Sequence, residues 1–378
     1  MNRSAESIPA ESVHGESVSG ESLPGDSVLG ETRQADAIAD STPQPRDRLG
    51  RPLRDLRLSV IDACNFRCPY CMPADRIPED HGLDAASRLS FDQIERLVRG
   101  FARLGMRKLR ITGGEPLLRK RLPDLIARLA AVPGIDDLAL TTNGALLAAQ
   151  AQALRDAGLH RLTVSLDALE PARFAALSGG RGDVNAVLRG LDAAQAAGFT
   201  RIKLNCVVQR GVNDDQALPL VEFARARGHL PRFIEYMDVG TCNDWSPERV
   251  VHSAQLRDRI HARWPLQPLD ANYRGEVAKR YRFLDGSGEV GFVSSISEPF
   301  CGDCHRARVS ADGRLYTCLF AADGQDLRPW LAQTDDLFAQ RLAALWRDRG
   351  DRYSEAREEA RRAGRPPPKR VEMFLVGG

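Results

Sequence analysis

Three cysteines spaced C-x3-C-x2-C, in Cys64-Asn65-Phe66-Arg67-Cys68-Pro69-Tyr70-Cys71, directly follow the apolar run Leu56–Ile61, which reads as a strand. The rest of the chain has to be arranged around what these thiols hold. Three thiolates can ligate three irons of a four-iron cubane and leave the fourth iron open. An open coordination position marks a working metal centre, because a structural site closes its shell. Zinc takes four Cys or His ligands, and no fourth follows here at ribbon-like spacing. Disulfides do not suit a chain that shows no basic-then-apolar signal pattern.

From Arg51 to about Tyr273, strand-like runs alternate with amphipathic ones. The expected strands are Leu56–Ile61, Lys108–Thr112, Leu138–Thr142, Arg161–Leu166, Arg201–Val208 and Arg232–Met237. The expected helices are Phe91–Leu104, Leu122–Ala131, Ala145–Ala157, Val184–Ala197 and Asp214–Arg227, several of them opened by Ser90, Asp183 or Asn213 and closed by glycine. About six β-α units with right-handed crossovers predict an α/β fold, a parallel sheet curled into a partial (β/α)6 TIM-like barrel. Functional residues of such folds gather where strands end. Here those ends carry the cysteine loop, Thr112-Gly113-Gly114-Glu115-Pro116, Thr141-Thr142-Asn143-Gly144, Ser165-Leu166-Asp167 and Glu235-Tyr236-Met237-Asp238, with Lys203 and Asn205 inside the fifth strand. Paired glycines let backbone approach a ligand, and Glu115 supplies an acceptor for an amine.

A second triad lies in the last third: Cys301-Gly302-Asp303-Cys304, then Cys318 fourteen residues on, with Arg306-Ala307-Arg308 between them. His305 adjoins Cys304 and is poorly placed to complete a zinc site. Two guanidiniums offset by two on a strand point the same way and suit phosphate or carboxylate. Short strands (Tyr281–Leu284, Val290–Ser294) precede this triad. A charged helical stretch (Leu337–Ala363), a Pro366–Pro368 break and an apolar run ending in Gly377-Gly378 follow it. Cys206 and Cys242 lie outside both triads and read as free thiols.

Composition bounds the remaining choices. With 378 residues, 43% of them hydrophobic, the chain suits about two folded domains, placed at residues 51–273 and 274–378. Residues 1–50 vary a five-residue theme (ESIPA, ESVHG, ESVSG, ESLPG) without an aromatic side chain and read as a disordered tail. A net charge of +2 gives no argument for nucleic acid, and no apolar run approaches membrane-spanning length. A soluble, cytoplasmic protein is expected.

The C-x3-C-x2-C triad followed by GGEP on a partial barrel resembles the radical S-adenosylmethionine superfamily. The second triad with its R-x-R, Ile234-Glu235-Tyr236-Met237-Asp238-Val239-Gly240 and the terminal Gly-Gly narrow the resemblance to the branch that cyclises GTP at the start of molybdenum-cofactor biosynthesis, a lyase activity. The match runs from about Arg51 to Gly378. It implies two [4Fe-4S] clusters, one on Cys64, Cys68 and Cys71 and one on Cys301, Cys304 and Cys318. It implies S-adenosylmethionine lined by Tyr70, Gly114, Ser165 and Met237. It implies GTP held by Arg57, Arg110, Thr141, Lys203 and the Arg306-Ala307-Arg308 segment, with its guanine on the second cluster. In this family an adenosyl radical takes the ribose 3′ hydrogen, the carbon radical attacks guanine C8, and the Gly377-Gly378 tail reaches the active site. A homodimer, an electron donor and a downstream cyclic pyranopterin monophosphate synthase are implied as partners. Two other readings fit parts of the pattern: a radical peptide-modifying maturase, which usually carries more C-terminal cysteines, and a non-catalytic module stapled by zinc. A P-loop is absent, so any GTP is held by another arrangement.

Overall fold

The computed structural model describes residues 44–82, 84–364 and 370–377, and residues 44–378 group into one compact unit. Most of the repeat segment, the Pro366–Pro368 break and Gly378 lie outside the described residues. Residues 44–50, which composition groups with the tail, belong instead to the folded unit, and Asp47 is buried there. The Asp47 carboxylate accepts the Leu49 and Arg51 amides, and Gly50 takes a left-handed φ of 75°. Asp followed three residues later by Gly builds that turn.

The six repeats form as expected. The strands are β1 (Asp55–Ser59), β2 (Lys108–Thr112), β3 (Asp137–Thr142), β4 (Arg161–Ser165), β5 (Lys203–Val208) and β6 (Leu230–Glu235), paired in that order and all parallel. Helices Phe91–Arg103, Leu122–Ala130, Ala151–Asp156, Val184–Ala196 and Ala217–Ala226 connect them, and Pro171–Leu177 adds an extra one. Ser90 makes a reciprocal capping box with Gln93, and Asp183 accepts from the Asn185 amide. Asn213 does not cap. Its fully buried side chain ties the Gln209 amide to the carbonyls of Asp167 and Val207.

The C-terminal third extends the same sheet at both edges. Its strands are β7 (Leu266–Leu269), β8 (Lys279–Phe283), β9 (Glu289–Val293), β10 (Arg306–Val309), β11 (Arg314–Tyr316) and β12 (Gln325–Asp326). β9 pairs parallel with β6, and β10 pairs parallel with β1, setting Asp55 opposite Arg306 and Arg57 opposite Arg308. Eight parallel strands therefore run consecutively, flanked by antiparallel β7-β8 and β11-β12. The expected single helix over Leu337–Ala363 is two, Asp335–Asp348 and Tyr353–Arg362. Arg349 breaks it by leaving helical φ/ψ while its side chain is drawn into the interior.

Period-2 alternation divides the side chains of β1, β2, β5 and β10 between two faces. Leu56 and Leu58, Leu109 and Ile111, Leu204 and Cys206, and Ala307 and Val309 are buried in one hydrophobic cluster with helix residues such as Leu97, Phe101 and Leu125. Each fully buried Leu contributes about 1.5–3 kcal/mol of transfer free energy. The alternate residues Arg57, Lys108 and Arg110, Lys203 and Asn205, and Arg306 and Arg308 turn to the other face and line one cavity. A barrel interior is ordinarily packed by aliphatic side chains. This one is charged, so it stays open. No helix among the described residues is long and apolar enough to cross a membrane.

Candidate active site

The two cysteine triads sit at opposite ends of the sheet. Cys64, Cys68 and Cys71 follow the C-terminal end of β1. Cys301 and Cys304 precede the N-terminal end of β10, and Cys318 follows β11, whose antiparallel course returns it to that end. A five-residue strand separates the ends by ~15 Å at about 3.3 Å per residue.

At the C-terminal end, the cysteine loop lies directly on the loop after β2. The Gly114 amide donates to Ile61 O (2.8 Å) and the Glu115 amide to Ala63 O (2.9 Å). A Cβ on Gly113 would stand 2.2 Å from Ile61 O, and one on Gly114 would stand 2.2 Å from Ala63 O. What the paired glycines let approach is thus the cysteine loop itself. Glu115 is buried and accepts from Leu117 N, Thr142 Oγ1 and Asn143 N; burial pushes its carboxyl up to about 7. Internal donors already hold it, and Oε2 takes just one of them, the Asn143 amide. Tyr70 donates its hydroxyl to Asp167 Oδ2 (2.6 Å), and Asp167 also accepts from the Val207 amide. Burial raises Asp167 to about 6. Ser165 closes β4 beside Asn205, and Met237 opens onto the barrel cavity. Glu235 turns the other way: it accepts from the Ser253, Ile296 and Ser297 amides and is structural. Asp167 was legible only as a strand-end acid, because its partner Tyr70 is 97 residues away.

The three thiols here are free and share one poorly solvated place. Burial first, then one another's charge, pushes Cys68 and Cys71 up; burial raises Cys64 to about 11. Three thiolates can coexist there only with a cation among them, which an iron cluster supplies. Among the described residues no three His, Cys, Asp or Glu side chains are placed to share one metal ion. A mononuclear zinc site would put its sulfurs about 2.3 Å from one atom; a cubane puts each thiolate on its own iron.

Between the triads lies a cavity, open to solvent, with about 1540 Å³ of atom-free space counting its mouth, lined by ten Arg or Lys side chains and three carboxylates. Arg51, Lys108, Arg280 and Arg349 have carboxylates beside them. Arg57, Arg110, Lys203, Arg232, Arg306 and Arg308 make no ion pair within 4.0 Å among the described residues. Arg110 donates to Thr141 and Thr163 (both 3.0 Å), Arg232 to Asn205 Oδ1 (2.9 Å), and Arg308 to Gly377 O (2.9 Å). Burial, then the neighbouring cations, holds Lys203 down at about 6, Arg232 at about 9 and Arg308 at about 10. Burial and Arg308, Arg306, Arg110 and Arg232 likewise depress Arg57. Arg306 is the exception: burial works to lower it, but Cys304 and Asp55 outweigh burial and raise it. Cations this concentrated, outnumbering the carboxylates among them, are a seat for a polyanion. Arg57, Arg110, Thr141, Lys203, Arg306 and Arg308 are brought together here. They sit along the barrel wall rather than on its C-terminal rim. Lys108 and Arg232 complete the wall, and sequence reading missed them inside their strands.

At the second triad Cys304 is unusual. Burial works to raise it, but Arg306 and Arg349 outweigh burial and hold it at about 6; Cys318, raised by burial, stands at about 12. Arg306 Nη2 lies 3.5 Å from Cys304 Sγ. Cys301, Cys304 and Cys318 all line the cavity. His305 has both ring nitrogens buried without a hydrogen-bond partner. Cys206 is buried against the Asp167 carbonyl, and Cys242 donates to Glu372 Oε2 (3.0 Å).

The descriptions of two sequence families match the chain: the Radical SAM superfamily over residues 58–224 and Molybdenum Cofactor Synthesis C over residues 231–355. The chain is 69% identical over 333 residues to a GTP 3′,8-cyclase of Xanthomonas campestris pv. campestris (strain B100), covering 88% of this chain and 97% of that one. It is 49% identical over 357 residues to a GTP 3′,8-cyclase of Acidothermus cellulolyticus, covering 88% and 99%. Among solved structures, Streptococcus suis SuiB bound to S-adenosylmethionine is similar at a TM-score of 0.55 with 14% identity, covering 79% of this chain and 64% of that one. Native anSMEcpe with bound AdoMet is similar at a TM-score of 0.51 with 15% identity, covering 76% and 83%. At that identity the likeness concerns the fold alone.

Proposed function

This chain belongs to the GTP 3′,8-cyclase family of radical S-adenosylmethionine enzymes, and we propose that its two triads and the cationic wall between them serve one reaction from opposite ends. The reaction is cyclisation of GTP to (8S)-3′,8-cyclo-7,8-dihydroguanosine 5′-triphosphate, the first step of molybdenum-cofactor biosynthesis. S-adenosylmethionine and a [4Fe-4S] cluster, when bound, supply the adenosyl radical that takes the ribose 3′ hydrogen. The peptide-maturase and zinc-staple readings are not favoured.

The observation that carries the assignment is the row of unpaired cations running from one triad toward the other. Cys64, Cys68 and Cys71 would hold the first cluster; Tyr70, Gly114, Ser165 and Met237 would line S-adenosylmethionine. Arg57, Arg110, Lys203 and Arg308 would take the triphosphate, with Thr141 orienting Arg110 and Ala307, buried in the hydrophobic cluster behind the strand, setting both arginines of the R-x-R on the cavity face. Cys301, Cys304 and Cys318 would hold a second cluster, which would supply an anchoring point for the guanine end of the substrate. Fixing both ends of the nucleotide sets the 3′ carbon toward the radical source and C8 beside it, converting encounter into orientation. The substrate also neutralises the wall, closing the site to water only when loaded. The reading includes a cytoplasmic homodimer, an external electron donor, and transfer of product to a pterin-forming synthase.

The test is an anaerobic assay of reconstituted protein with S-adenosylmethionine, reductant and GTP, measuring 5′-deoxyadenosine and the cyclic nucleotide together. Both products are expected. Deoxyadenosine without a GTP-derived product would overturn the substrate assignment.

Lys203 gives a second expected result. Its folded pKa of about 6 lies below the ordinary lysine value of ~10.4, so from pH 6 to about 10 the unfolded chain binds a proton that the folded one lacks. Stability of the ligand-free protein from this group therefore rises with pH across that window. A bound triphosphate reverses the shift, so GTP binding at pH 8 is expected to take up close to one proton. Calorimetry in buffers of different ionisation heat measures it. Lys203→Met should abolish the uptake, and undiminished uptake in that variant would reassign it.

A further inference from the structure

We propose that Arg51 and Arg349, held in place by Asp47 and Asp351, are positioning residues that fix the seat of the second iron–sulfur cluster. This rests on the reading that Cys301, Cys304 and Cys318 hold such a cluster. Those cysteines come from two separate segments with little regular structure, and something must keep them at one spacing.

The two guanidiniums do this through the backbone. Arg51 Nη1 donates to Cys301 O (2.7 Å) and to Asp351 O (3.0 Å). Arg349 Nη1 donates to Cys304 O (2.7 Å), and its Nη2 donates to Thr317 O (3.0 Å), the carbonyl directly before Cys318. All three ligand positions are thus tied to one of two planar forks. Asp47 Oδ2 sits 2.5 Å from Arg51 Nε and 3.5 Å from Arg349 Nη1, so one carboxylate braces both. Asp351 pairs with Arg349 at 3.2 Å and accepts the Thr317 hydroxyl at 2.6 Å. The Trp346 indole donates to Arg51 O (3.0 Å), and its ring lies 4.6 Å from the Arg349 guanidinium carbon. The side chains of Asp47, Arg51 and Arg349 are 0%, 2% and 1% exposed.

A buried ion network of this size is a weak source of stability, since desolvation offsets much of its attraction. What it supplies is geometry, as the groups behind metal ligands commonly do. Its two guanidiniums also place positive charge beside a cluster of anionic ligands, which favours the reduced cluster. Neither triad spacing nor R-x-R points to it. Its members are drawn from residues 47–51 and 346–351, about 300 positions apart in sequence.

The test uses full-length Asp47→Asn, Arg349→Gln and Arg349→Lys, reconstituted anaerobically beside the wild type, with Cys318→Ser marking the second-cluster signal. Iron and sulfide content, the paramagnetic resonance spectrum and midpoint potentials of the reduced protein, thermal melting, and deoxyadenosine formation without GTP are measured. Wild type is expected to hold about eight irons per chain and Asp47→Asn and Arg349→Gln about four, as four-iron clusters require. Both variants should lose the second-cluster signal, with deoxyadenosine formation within about twofold of wild type, and any residual second-cluster signal should move to lower potential in Arg349→Gln, which removes a positive charge, and not in Asp47→Asn, which removes a negative one; Arg349→Lys should restore part of the signal. Full iron with an unchanged second-cluster potential in both variants overturns the proposal. Loss of both clusters together with the folding transition also overturns it, by assigning the network to the fold at large. A wild type with about four irons instead removes the two-cluster reading beneath it.

Discussion

Arg308→Ala is expected to weaken GTP binding by roughly 30- to 150-fold while deoxyadenosine formation from S-adenosylmethionine alone continues. The magnitude follows from one charge-assisted contact to phosphate, worth ~2–3 kcal/mol, at 1.4 kcal/mol per tenfold. Arg308 is buried, makes no carboxylate ion pair among the described residues, and is held opposite Arg57 by the β1-β10 register. Burial and Arg306 already pull its pKa down to about 10, so the ligand-free site stores repulsion that an anion relieves. The first triad lies at the other end of the sheet and keeps its own surroundings, which separates the two readouts. Arg308→Lys retains the charge but not the fork and should fall between. Unchanged GTP affinity in the alanine variant, measured by equilibrium binding, would remove Arg308 from the phosphate site.

How much of this was legible in sequence depends on how local each signal is. Cys64, Cys68 and Cys71 declare themselves by spacing, and the six repeats by alternating periods bounded by Ser90, Asp183 and glycines. Arg306 and Arg308 were placed on one face because a strand has a period of two. That this strand joins β1, so that Arg308 meets Arg57, was not legible: parallel pairing across some 250 residues leaves no local trace. Lys108 and Arg232 were hidden for a related reason. A cation inside an apolar strand looks like an exposed-face residue until the opposite face proves to be a cavity. Glu115 shows the converse. Its motif was read as a ligand contact, and the structure shows a buried carboxylate held by three internal donors, with paired glycines packed on the cysteine loop. Asn213 fits a capping position by type, but its side chain is turned inward to the Asp167 carbonyl. The charged stretch after Leu337 kept helical periodicity up to Arg349, where Gly350 offers a local stop and the inward course of the Arg349 guanidinium accompanies the break.

Gly377→Ala is expected to reduce formation of the cyclic nucleotide by about 100-fold with S-adenosylmethionine cleavage intact, because the C-terminal segment has one narrow way to sit. The segment is anchored well before its end. Arg370 pairs with Asp238 (2.6 Å), which also binds Arg357 (2.6 Å), and Glu372 accepts the Thr241 amide (2.9 Å) and hydroxyl (2.6 Å). Phe374 packs edge-on against His81, and Val376 is fully buried. Gly377 then takes a φ of 67° and offers its carbonyl to Arg308. A Cβ at that position would stand 2.2 Å from Thr112 Cγ2 and 2.7 Å from Thr112 Oγ1. Left-handed backbone costs a non-glycine residue roughly 1–2 kcal/mol, and the clash with a stiff β-branched neighbour adds to it. Together these exceed the ~2–3 kcal/mol that one charge-assisted contact returns, so the carbonyl leaves Arg308. The other anchors hold residues 370–376 in place, which confines the damage to the cavity. Thr112→Ala in the same chain removes the two nearest atoms but leaves Thr112 Cβ at 2.9 Å, and the φ penalty remains. The double variant should therefore recover part of the lost product, not all of it. Equal activity of Gly377→Ala and wild type would show that Gly377 need not hold Arg308 during turnover; a loss that Thr112→Ala leaves untouched would place the fault in backbone strain alone.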